Sequence, residues 1–88
     1  MKHARPDYDR IQDPALQDPR FLKPGSTPIG EDEPVFLLRA QDKTAAETIR
    51  HWVALNLAEP GHDGKAIQLA LDHAKLMDAW PRKKVADV

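Results

Sequence analysis

No cysteine occurs in the 88 residues, so neither a disulfide framework nor a thiolate-held zinc ion is available to staple a small fold. A reducing cytoplasm is the compartment this composition fits. Net charge is nearly absent as well. Thirteen Lys and Arg stand against 14 Asp and Glu, which removes the long-range attraction that nonspecific nucleic-acid binding requires. No segment approaches the roughly 20 apolar residues needed to cross a bilayer. Met1-Lys2-His3-Ala4-Arg5-Pro6 lacks the apolar centre of a secretory signal. Serine appears once, as Ser26 in a Pro- and Gly-containing stretch with no base at defined spacing, so nucleophilic catalysis has no candidate residue. A chain this short also buries a small fraction of its surface, and its own core supplies a few kcal/mol at most. Assembly or close helix packing is therefore expected. These absences together point to a protein without catalytic residues, without a membrane segment and resident in the cytoplasm.

What is present divides the chain into three parts. Six of the eight prolines fall within the first 34 residues, and each removes a backbone donor and biases its predecessor away from helix. Residues 1–30 therefore read as an extended Pro-rich arm. Within it Gln12-Asp13-Pro14 recurs as Gln17-Asp18-Pro19, which suits two similar turns. Tyr8, Ile11, Leu16, Phe21, Leu22 and Ile29 are too many large apolar groups for a solvated linker, so part of the arm is expected to pack.

Residues 31–81 carry the regular structure. Pro34 opens Val35-Phe36-Leu37-Leu38-Arg39, which reads as one short β-strand with both faces covered. Thr44-Ala45-Ala46-Glu47 matches a capping box, so a helix should start at Ala45 and stop near Ala58, before Glu59-Pro60-Gly61. Its expected buried stripe is Ala45, Ile49, Trp52, Val53 and Leu57. Asp63 is placed to cap a second helix running to about Ala79. That helix carries Ala66, Ile67, Ala70, Leu71, Ala74 and Met77 as its stripe, with Leu69, Leu76 and Trp80 alongside. Small residues at Ala66, Ala70 and Ala74 would let another helix approach closely. Trp52 and Trp80 are expected as core anchors. Residues 82–88 form a basic tail in which Arg82, Lys83 and Lys84 complement the helix dipole.

The fold class is α+β and mainly helical: an extended arm, one short β-strand and an antiparallel two-helix hairpin. A lone strand leaves donors and acceptors unpaired at about 1–3 kcal/mol each if buried. Its partner must be the arm or the same strand of a second protomer. The second alternative makes a symmetric homo-oligomer, a dimer or higher, with a shared sheet, and that assembly is the expected pairing.

The junction before the first helix is the best candidate site, because a helix start presents unpaired amides to a phosphate or carboxylate. Arg39, Gln41 and Lys43 would point to one side of an extended segment and converge with Thr44 on an anion. Arg50 and His51 follow on the helix, with Glu47 four residues before His51. The competing reading makes Asp42 and Thr44 plain caps and leaves Arg39 and Lys43 solvated. His62, Asp63, Asp72 and His73 lack the spacing that puts two metal ligands on one helical face, so no metal or other cofactor is expected. Gly61-His62-Asp63-Gly64-Lys65-Ala66 has neither the first glycine nor the Ser/Thr of a phosphate-binding loop.

Glu33-Pro34-Val35-Phe36-Leu37-Leu38-Arg39-Ala40-Gln41-Asp42 together with Met77-Asp78-Ala79-Trp80-Pro81-Arg82-Lys83-Lys84-Val85 resembles a group of short proteins encoded by tailed phages and bacterial genomes. The similarity covers about residues 31–87 and leaves the arm outside. It implies a non-enzymatic accessory protein in the bacterial host cytoplasm. Such a protein would sequester a small anionic, nucleotide-like ligand such as a cyclic-nucleotide immune signal, or inhibit or adapt a host protein. A third alternative is nucleic-acid binding through Arg82-Lys83-Lys84 with Arg50 and Lys75, which the balanced charge disfavours.

Overall fold

The computed structural model describes residues 1–8, 11, 25 and 27–87. The paired Gln-Asp-Pro turns, Leu16, Phe21 and Leu22 lie outside them. Among the described residues the protein is mostly helical, with two α-helices and one pair of very short strands. It divides into two compact units, Met1–Leu37 and Leu38–Val88.

In the first unit, β1 (Lys2–His3) pairs in parallel with β2 (Pro34–Val35), with Lys2 opposite Pro34 and His3 opposite Val35. The Lys2 amide donates to the Glu33 carbonyl at 2.8 Å. Of the two sources of a strand partner open to the sequence, the chain itself supplies one. The expected five-residue strand is corrected here. The ladder ends at Val35, Leu37 is half-buried, and Phe36 is 72% exposed, so its two faces are not both covered. The partner strand is equally short, because Pro6 opens a 3-10 turn over Pro6–Tyr8 and lacks the amide a ladder needs. Around that turn Arg5 lies 4.7 Å from the centre of the Tyr8 ring and pairs with Asp7 at 3.0 Å.

In the second unit, α1 (Ala45–Leu57) and α2 (Gly64–Asp78) pack on each other. Pro60 ends the first, and Gly61 turns the chain at φ +79°, a left-handed conformation that an L side chain adopts only at a cost. Asp63 then starts α2 as expected, its carboxylate accepting from the amides of Lys65 at 2.9 Å and Ala66 at 3.4 Å. The core is built where the first turn of α1 meets the last turns of α2. Ala45 and Ala74 are fully enclosed, Ala46 and Met77 are buried beside them, and Leu38, Ala40 and Ile49 pack against the cluster.

The burial pattern corrects several expected positions. Trp52 and Trp80 are 46% and 43% exposed and do not anchor the core. Leu57 and Ala66 also face solvent, whereas Ala46 is buried. The close approach therefore rests on Ala74, with Ala70 half-buried, instead of a three-alanine stripe. The cause is geometric: two packed helices cover each other on one side only.

Candidate functional site

The chain between Leu38 and α1 is turned, not extended. The Asp42 amide donates to the Arg39 carbonyl at 3.0 Å and the Ala45 amide to the Asp42 carbonyl at 3.1 Å, so two tight turns follow one another. Strand alternation does not apply there, and it does not bring Arg39, Gln41 and Lys43 to one side.

Thr44 starts the helix in a way the capping box did not anticipate. Its side chain accepts no helix amide. Instead the Thr44 amide and hydroxyl both donate to Asp42 Oδ1, each at 2.8 Å. This is the side-chain-mimicked turn that Asp favours. The two donors, the backbone amide first and the hydroxyl second, hold the Asp42 carboxyl below its ordinary value. The first backbone donor that an incoming anion could use thus already serves a carboxylate of the protein itself.

The C-terminal segment returns to the same place. The Lys84 amide donates to the Gln41 carbonyl at 2.7 Å, and the Lys43 amide to the Lys84 carbonyl at 2.9 Å, which makes an isolated parallel bridge of Asp42 with Lys84. Lys83 Nζ donates to the Ala40 carbonyl at 2.8 Å and to the Met77 carbonyl near the end of α2. The expected dipole role of the basic segment holds for Lys83, since its ammonium meets a terminal helix carbonyl. Arg82 stacks over Trp80 at 4.5 Å, and Lys84 pairs with Asp87 at 3.1 Å. All three cations are thus engaged within the chain.

The six residues singled out from the sequence are held in different ways. The backbones of Gln41 and Lys43 are tied to Lys84, and Thr44 is tied to Asp42. Arg39 is exposed and its carbonyl closes a turn. Arg50 Nη2 donates to Asp78 Oδ2, joining α1 to the last residue of α2, and His51 is exposed on α1. Asp42 and Lys83 carry more of the junction than the sequence reading gave them. Lys83 had no local signal, because its acceptors lie 6 and 43 residues away.

Among the described residues no cluster of three His, Cys, Asp or Glu side chains could hold a metal. No helix there is long and apolar enough to cross a membrane. No protein-family model, curated protein or solved structure matches this chain.

The helices also display large apolar groups to solvent. Trp52 and Leu55 on α1 are exposed, as are Leu69 and Leu76 on α2 at 64% and 67%.

Proposed function

We propose that this chain is a non-enzymatic protein-interaction module that works through the exposed apolar side chains of its two helices. The observation that carries the reading is the presence of Trp52, Leu55, Leu69 and Leu76 in water on a hairpin whose own core is small. Covering such groups with another surface removes apolar area from water, and tryptophan is enriched among binding hot spots. The helices run antiparallel in this reading. That is supported by Ala45 and Ala46 of α1 meeting Ala74 and Met77 of α2, and by the Arg50–Asp78 pair. Resemblance to short phage-encoded proteins supplies the setting, a bacterial cytoplasm in which the partner is a host protein or another copy of the chain.

Affinity capture from bacterial lysate with the tagged protein tests the proposal. A stoichiometric partner should be retained by the native chain and lost by Leu55→Glu or Leu69→Glu at unchanged helicity. Failure to associate with any protein, itself included, would sink it.

Sequestration of an anionic nucleotide-like ligand by Arg39, Gln41, Lys43, Thr44, Arg50 and His51 is the weaker reading. The Asp42 carboxylate already engages the Thr44 amide, and Arg50 already meets Asp78. Calorimetric binding of a cyclic nucleotide that Arg39→Ala abolishes would reverse this ranking.

A further inference from the structure

We propose that the outward face of α2 is a self-association surface, closing a symmetric dimer of this chain about a two-fold axis that passes between Asp72 and His73. The proposal deepens the interaction reading above by naming the partner, and rests on it. Leu69, Asp72, His73 and Leu76 stand at i, i+3, i+4 and i+7 of α2, so they share one stripe of the helix. All four are exposed. The stripe lies away from Ile67, Ala74 and Met77, the residues through which α2 is buried.

The order of those four residues selects a second copy as the occupant. In a two-fold interface, residue i of one subunit meets residue j of the other, and j meets i. With two α2 helices antiparallel about an axis between positions 72 and 73, Leu69 faces Leu76 of the partner subunit and Asp72 faces His73 of the partner subunit. Apolar groups meet apolar groups, and each carboxylate meets an imidazole that can donate an N–H to it. The stripe is therefore complementary to its own reversed copy. A parallel pairing would set carboxylate against carboxylate and lose that match. Asp72 Oδ1 accepts from Gln68 Nε2 at 2.9 Å. A carboxylate offers about four lone-pair sites, so acceptor capacity remains for the partner.

Sedimentation velocity over a concentration series tests the proposal, with circular dichroism confirming unchanged helicity. The native chain should dimerise. Leu69→Glu enters each dimer twice and should raise its dissociation constant by roughly 30-fold or more, the loss expected at an interface hot spot. Asp72→His and His73→Asp should each weaken the dimer. The double exchange, Asp72→His with His73→Asp, should recover it, because the axis then pairs the same groups in reverse. Glu47→Ala, at an exposed position of α1, should leave the dimer intact. A chain monomeric at every concentration, a dimer indifferent to Leu69→Glu, or a double exchange that recovers nothing would each overturn the proposal. A monomer that still captures a different protein through Leu55 overturns self-association and leaves the interaction reading standing. No association of any kind removes both.

Discussion

Asp42 accepts two hydrogen bonds from Thr44, and its carboxyl is thereby held below the usual range. A carboxyl whose folded pKa is depressed contributes stability that is present above its unfolded value, about 3.9, and is lost as pH falls through the folded value. Asp42→Ala should therefore lower the melting temperature at neutral pH. The gap to the native chain should close as pH drops below about 4. A gap unchanged at the acid end would show that the aspartate acts through shape and not through charge. Asp63→Ala removes the cap of α2 and should cost about 1 kcal/mol by urea denaturation. The two caps differ in how legible they were. Asp63 stands alone before Gly64 and α2, so its role follows from local order. Asp42 and Thr44 are two competing candidates within three residues, and the geometry of consecutive turns decides which one accepts.

The helices follow closely from local chemistry, since α1 spans Ala45–Leu57 and α2 spans Gly64–Asp78, near the expected limits. Cap residues, apolar period and Pro60 act within one or two turns, so their effect is written into neighbouring residues. Which members of each apolar stripe become buried was less legible, because that depends on where the two helices cross. Trp52 and Leu57 stay exposed, while Ala45 and Ala74 are fully buried in one cluster. Ala74→Leu should push the helices apart and destabilise the protein by about 1–3 kcal/mol, measured by thermal or urea unfolding. The Arg50–Asp78 pair near that contact is exposed on both sides. Its loss in Arg50→Ala should therefore change stability by less than about 1 kcal/mol and should matter least at high salt.

At the scale of the whole molecule, the pairings that close each unit join distant parts of the chain: β1 with β2 in the first unit, and Lys84 with Gln41 and Lys43 in the second. Lys84→Pro deletes the amide that reaches the Gln41 carbonyl and should free the opposite end of the bridge. Hydrogen exchange at the Lys43 amide should then accelerate severalfold while the amides in the middle of α1 keep their protection. Equal acceleration throughout α1 would mean that the bridge supports the helix as a whole. The mainly helical class, both helices and their ends, the Asp63 cap, and a strand starting at Pro34 that needs a partner all follow from local sequence. Tertiary structure decided which chain segment supplies that partner, how soon the ladder stops, which carboxylate receives the start of α1, where Lys83 finds its carbonyls, and which apolar residues stay in water. The division has one physical cause. Propensity and capping act over a few residues and leave a local pattern, whereas a two-residue bridge or a helix crossing depends on groups tens of residues apart and leaves none.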